Sequence, residues 1–232
     1  MRADDFEQVR AIPLFAQMSE PSLSLLLDAA LLQHFPVGVS LIHEGDPPDF
    51  LHVLLDGLVE IFTEQDDVEW GISLVSPVTP FILAAVISDQ PYLNSARTLK
   101  ASRILLIPAK HVRAAFDRDI AFAQLVAGEL ATAYRGAIKK LKGYVARSSV
   151  QRLANWILSE ARTEASGTYL VLPFDRATLA SHIGTTRENL SRNLAQLTDH
   201  GVRIRGREIV IDRKDLLQAF ARPQRLIDDP NS

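Results

Sequence analysis

Four side chains in the C-terminal third, Arg187, Glu188, Ser191 and Arg192, stand one, three and four residues apart. On a helix that spacing gathers them on one face near the first turns. Their types suit the reading of a base edge. Arginine donates two bonds to guanine, glutamate accepts from the cytosine amine, and serine bonds a base or packs beside a thymine methyl. Thr186 stands just before them, and Arg203, Arg205 and Arg207 follow at alternate positions. Such arginines suit phosphate oxygens, contacts that position a protein on DNA without reading sequence. A plainer role stays open for the same residues. Thr185 and Glu188 have capping-box spacing, and Arg187 and Arg192 suit a solvated surface.

Other chemistries find little support. The 232 residues include no cysteine, which removes disulfides, thiolate zinc sites, Cys-ligated iron–sulfur clusters and thiol redox sensing. His34, His43, His52 and His111 have no metal-ligand spacing, and each is expected at the surface; His182 and His200 are expected to have no sensing role. No Ser/His/Asp array, metal cluster or phosphate loop is present, so no enzyme is expected. The net charge of −3 hides an asymmetry: from Ser148 onward twelve basic residues face ten acidic ones, against thirteen and eighteen before it. This leans weakly towards nucleic acid for the C-terminal part. No apolar run reaches the roughly 18 residues that span a bilayer, and the acidic start Met1-Arg2-Ala3-Asp4-Asp5 has no signal-peptide core. A cytoplasmic protein is expected.

The elements that must hold these residues can be read from periodicity. Asp175 to Ile183 reads as a helix with an Asp cap and Leu179, Ala180 and Ile183 on its buried face. Gly184 supplies a turn, and Thr186 to Leu197 reads as a second helix resting on Leu190, Leu194 and Leu197. Two short helices joined through glycine describe a helix-turn-helix. Before it, Ser148 to Ala165 reads as a helix burying Leu153, Trp156, Ile157 and Ala161 and ending at Ser166-Gly167. A strand, Tyr169 to Leu172, comes next. From Ile120 to Ala146, Val126, Leu130, Ala133, Ala137, Leu141 and Tyr144 form a narrow stripe along one long helix. That suits a coiled-coil dimer, with the small Ala133 and Ala137 permitting close approach; the other reading is a core helix within one subunit. From Phe35 to Pro108 short apolar runs alternate with turn signals, as in a β-sandwich, jelly roll or barrel. Asp56-Gly57 between Leu51–Leu55 and Leu58–Phe62 reads as a two-residue hairpin. Phe6 to Leu32 reads as helical, broken at Pro13 and Pro21, with a start at Ser19-Glu20-Pro21.

The segment Arg187-Glu188-Asn189-Leu190-Ser191-Arg192 resembles the recognition helix of the Crp/Fnr superfamily, whose pattern is Glu, two residues, Ser or Gly, then Arg. His200 to Ile211 resembles its β-hairpin wing and Asp212 to Phe220 its closing helix. Leu41 to Asp46 and Asp49 to Phe62 are similar to the cyclic-nucleotide-binding jelly roll. The resemblance implies an α+β chain: an N-terminal jelly-roll sensor (1–118), a dimerisation helix (119–147) and a C-terminal winged helix-turn-helix (148–232). It implies a homodimeric regulator of transcription with double-stranded DNA and RNA polymerase as partners. The site would be a palindrome with a TGA/TCA core and half-sites about 34–36 Å apart. Ser191 resembles the fumarate-nitrate branch and Arg187 the cyclic-AMP branch, so the outer bases stay open.

In cyclic-nucleotide binders of this superfamily a short helix carries Gly-Glu near its start and Arg-Ser near its end; the Arg pairs with the cyclic phosphate. Here Ile82, Leu83 and Ala84 stand in place of Gly-Glu, and Asn94 stands in place of Arg, ahead of Ser95. Arg97 is expected to point elsewhere along the next strand. Cyclic AMP is therefore not expected as effector. The expected effector pocket of Phe81, Leu83, Ala84, Asn94 and Ser95 suits an apolar ligand, haem with a histidine ligand for gas sensing, or simple packing. A sensor or interaction protein with weakened DNA binding is the other alternative.

Overall fold

The computed structural model describes residues 9–66, 68–164, 167–229 and 232. It divides into two units, Met1–Tyr134 and Arg135–Ser232. In the first, eight strands form two antiparallel sheets. They are β1 (Leu31–Phe35), β2 (Ser40–Ile42), β3 (Phe50–Asp56), β4 (Val59–Gln65), β5 (Val68–Val75), β6 (Thr79–Phe81), β7 (Ser95–Thr98) and β8 (Ser102–Pro108). The strand orders are β1-β8-β3-β6 and β2-β7-β4-β5, a jelly roll.

β3 and β8 are apolar at adjacent positions, Val53 to Leu55 and Ile104 to Ile107, because both their faces are covered. Leu54, Ile104 and Leu106 meet Ile61, Val75 and Ala96 between the sheets. Leu51, Val53, Leu105 and Ile107 face a helical layer. That layer is made of α1 (Glu20–Asp28), α2 (Leu83–Ser88), α3 (Ala109–Arg118) and the start of α4 (Ile120–Ala146). Asp119 ties two helices of that layer together. Its carboxylate accepts from the Phe122 amide at 3.1 Å, capping α4, and from the Ser19 amide and hydroxyl at 2.9 and 2.7 Å.

Several expectations need correction. Asp56-Gly57 is not a hairpin turn, since β3 pairs with β6 and β8 whereas β4 pairs with β5 and β7. The chain crosses from one sheet to the other there. Gly57 has φ +106° and lies against Ala101 and Ser102, leaving no room for a Cβ. Alternation alone cannot tell a turn from a corner between sheets. Leu31 and Leu32 begin a strand instead of ending a helix. Ser19 does precede α1, but its hydroxyl goes to Asp119. Phe6 and Ser166 lie outside the described residues, as do the other positions not included above.

In the second unit, α5 (Ser149–Glu160) stops earlier than periodicity suggested. β9 (Arg162–Glu164) follows and pairs with β10 (Gly167–Val171), because a hydrogen-bonding neighbour outweighs local helix preference. Trp156 is half-buried against Phe174, and Asn155 takes the fully buried place. Asn155 Nδ2 donates to the carbonyls of Gln151 and Ala221. Then come α6 (Arg176–Ile183), α7 (Arg187–Thr198), β11 (Val202–Arg205), β12 (Glu208–Ile211), α8 (Lys214–Ala221) and α9 (Arg225–Asp228). The sheet order is β11-β12-β10-β9.

Candidate DNA-reading face and sensor cavity

Asp175 caps α6, accepting from the Thr178 amide at 2.8 Å. Gly184 ends it at φ +68°, the left-handed conformation a helix–turn junction needs. The cap of α7 is Thr186, which accepts from the Asn189 amide at 3.3 Å; Thr185 forms no capping box with Glu188, because the helix starts one residue later. Leu190, Leu194 and Leu197 are buried beneath α7, and Arg187, Glu188, Ser191 and Arg192 are exposed along it. The Glu188 carboxyl is held below the usual range, first by its own backbone amide and then by the Thr186 hydroxyl. It is therefore an ionised acceptor at neutral pH. Arg192 makes a long 3.4 Å bond to Asn189 Oδ1, leaving most of its donors directed outward.

The wing turns at Gly206, with Arg205 opposite Glu208. Arg205 and Arg207 are exposed. Arg203 donates to Asp212 at 2.6 Å and is the wing arginine already engaged by a carboxylate. Arg176 Nη2 reaches the Gly206 carbonyl at 3.3 Å, tying the wing tip to α6.

A brace behind the turn escaped sequence reasoning. Arg152 Nε and Nη2 donate to the carbonyls of Ile183 and Gly184, and Nη1 to that of Arg147. One guanidinium thus satisfies orphan carbonyls where α4 and α6 end. It lies 4.8 Å above the Tyr144 ring, and that ring presses on Gly184. Tyr144, expected in a dimer seam, supports the helix-turn-helix of its own chain. No local pattern marks Arg152, since two of its three acceptors are 31 and 32 residues away.

The expected seam divides by position. Val126 is fully buried in the sensor core, and Leu130 packs against that core. Ala133 lines the cavity described below. Ala137 and Leu141 are exposed. A second stripe, Ala127, Ala131, Tyr134, Ile138, Leu141 and Val145, is exposed throughout; Tyr134 is 68% and Val145 81% accessible.

A cavity of about 920 Å³ opens beside α2, with Phe81, Ala84 and Asn94 in its wall. Leu83 is instead buried among the helices, and Ser95 turns away to accept from the Glu44 amide at 3.0 Å. Ile82, one of the three residues in place of Gly-Glu, has left-handed angles (φ 55°, ψ 33°), at a cost of about 1–2 kcal/mol for a side chain with a Cβ. Among the described residues no acidic, basic or histidine side chain lines the cavity. Arg97 lies on the outer face of its sheet, cross-strand from Glu60. It donates to Glu60 at 2.9 Å and to both Glu69 oxygens at 2.7 Å. The residues present do not fit the phosphate of a cyclic nucleotide. His34 and His43 are exposed as expected. His52 is buried against Phe81, and burial lowers its pKa to about 4; His111 is half-buried. Among the described residues no group of three or more His, Cys, Asp or Glu has metal-site geometry, and no helix is long and apolar enough to cross a membrane.

Comparison with known proteins agrees with this architecture. Residues 32–119 match the family model of the cyclic nucleotide-binding domain, and residues 151–220 that of the Crp-like helix-turn-helix domain. A CRP-like cAMP-activated global transcriptional regulator of Mycobacterium tuberculosis is 23% identical over 194 residues, covering 81% of this chain and 87% of that protein. A crystal structure described as a regulator of the crp/fnr family, from Eubacterium rectale, superposes with TM-score 0.76 at 18% identity, over 91% of this chain and 99% of that one. FixK2 from Bradyrhizobium japonicum gives TM-score 0.70 at 20% identity, over 82% and 96%. At these identities the structural likeness speaks for the fold. The Crp-like helix-turn-helix match, on a chain with this fold, defines a DNA-binding regulator of the helix-turn-helix class. With both domain matches in the expected order, the chain belongs to the Crp/Fnr superfamily of transcription regulators.

Proposed function

We propose that the protein acts as a homodimer on a palindromic DNA site with a TGA/TCA core, by binding and not by catalysis, and without control by cyclic AMP. The observation that carries the reading is the set of exposed side chains Arg187, Glu188, Ser191 and Arg192 held over a buried leucine underside on α7. Arg192 and Glu188 contact base edges, Ser191 and Arg187 set the outer positions, and Thr186 with Arg203, Arg205 and Arg207 meets phosphates. The parts are a sensor (1–118), a dimerisation helix (119–147) and a DNA-binding domain (148–232), working with RNA polymerase in the cytoplasm. The exposed stripe from Ala127 to Val145, with its four-three spacing, is the better candidate for the dimer seam, since Val126 and Tyr144 are engaged within one chain. Cyclic AMP is set aside because a buried phosphate needs a paired cation and the cavity wall has none.

Fluorescence anisotropy tests this at fixed salt, with TTGAT and ATCAA half-sites four base pairs apart against a scrambled duplex, with and without cyclic AMP. Specific binding that ignores cyclic AMP is expected. Specific binding only with cyclic AMP would overturn the reading of Asn94 and the cavity.

A further inference from the structure

We propose that the sensor cavity receives an uncharged, largely apolar small molecule carrying a neutral hydrogen-bonding group. The inference rests on reading this cavity as the effector site, and names the ligand's chemistry. Its wall includes Ile61, Ile72, Val75, Phe81, Leu93 and Ala133. Its polar groups are neutral: the hydroxyls of Ser73 and Thr79 and the amide of Asn94 are examples, and the Ser88 hydroxyl is spent on the Ala84 carbonyl at 2.7 Å.

Charge decides the class of ligand. A carboxylate, sulfonate or phosphate pressed against this wall gives up water with no cation to replace it, since among the described residues the wall offers neither Lys, Arg nor His. Arg97 cannot serve: both its terminal nitrogens and Nε are bonded to Glu60 and Glu69 on the far side of the sheet, and its guanidinium lies 4.3 Å over Phe62. A cationic ligand fails for the mirror reason, since among the described residues no carboxylate lines the cavity. Haem fails twice, lacking an axial histidine and cations for its propionates. About 920 Å³ is at the upper end of the range for drug-sized ligands. Because Ala133 belongs to α4, an occupant touches the long helix directly, giving the cavity a route to influence it.

A matched pair of dyes isolates the charge. N-phenyl-1-naphthylamine and 1-anilinonaphthalene-8-sulfonate share one aromatic body, and only the second carries a sulfonate. Fluorescence titration of the full chain should show saturable binding of the neutral dye and at least about tenfold weaker binding of the sulfonate. The neutral affinity should stay flat from roughly pH 6 to 9, since nothing in the wall titrates there. Ala84→Arg, at an exposed position of the wall, should reverse the preference, and Ser73→Phe should weaken both dyes. Sulfonate binding as tight as the neutral dye in the parent would overturn the proposal. So would neutral binding untouched by both substitutions, or no binding of either dye. DNA anisotropy on the same samples separates the two claims: a chain that binds DNA but not the dye loses only this inference, and one that binds the dye but not DNA loses only the regulator reading.

Discussion

At the residue scale, Arg192 projects from α7 with its guanidinium mostly uncommitted, and its role is separable from folding. Arg192→Ala should cost about 1–3 kcal/mol of discrimination at one base pair, measured by anisotropy on matched and single-mismatch duplexes; equal loss on all duplexes would reduce it to a phosphate contact. Asp119 is the opposite case, buried and structural. Its pKa is lowered from 3.8 to about 2, first by the Phe122 amide and then by Ser19. A carboxylate depressed on folding stabilises fully above its unfolded pKa, and this is lost as pH falls from about 3.8 through 2. Asp119→Ala should cost about 0.5–2 kcal/mol at neutral pH, read by urea unfolding, with the gap to the parent closing in acid. The exposed face of Arg187, Glu188, Ser191 and Arg192 was legible because residue types and short spacing mark it. Arg152 and Asp119 were not, because their partners lie far away in the chain.

At the element scale, α4 changes partner along its length. Val126 seals the sensor core, Ala133 borders the cavity, and the stripe through Tyr134, Ile138, Leu141 and Val145 is exposed. Ile138→Glu or Leu141→Glu should shift the protein from dimer to monomer in analytical ultracentrifugation and abolish cooperative binding to the palindrome; a dimer unchanged by both would place the seam elsewhere. The turn of the helix-turn-helix is equally specific. Gly184→Ala adds a Cβ at φ +68° directly against the Tyr144 ring, and should cost more than about 1 kcal/mol of stability. The wing predicts a salt effect: Arg205→Ala and Arg207→Ala should each lower the slope of log affinity against log salt by about one, without changing base preference. A helix of this length announces itself by period, but the expected stripe drifted from a core-facing side to an exposed one. Both stripes are spaced by threes and fours, and only the packed sheet shows which is already covered.

At the scale of the whole molecule, acid should weaken the fold before it disturbs recognition. Burial lowers both His52 and His182, from 6.5 to about 4, with Lys140 adding to the effect on His182. A histidine kept neutral in the fold takes up its proton more readily when unfolded. Stability therefore falls as pH drops from 6.5 towards 4, with the unfolded state binding the extra protons. Chemical denaturation at stepped pH should show this decline, and His52→Leu should make it shallower. An unchanged slope in that variant would show that His52 titrates normally. Neither burial was legible: the type of a lone histidine carries no record of how deeply its neighbours pack over it.

The sequence by itself determined the order of modules, the helix-turn-helix with Arg187, Glu188, Ser191 and Arg192 on one face, and Asn94 at the place where the resemblance expects an arginine. These are matters of residue type and short spacing. Tertiary structure alone decided that Asp56-Gly57 joins two sheets, that Tyr144 and Arg152 brace the turn, and that Arg97 is held on the outer face by two glutamates. It also decided that Ala133 belongs to the cavity. Each of these depends on which distant segment supplies the neighbour, and local periodicity carries no record of that neighbour's identity or side.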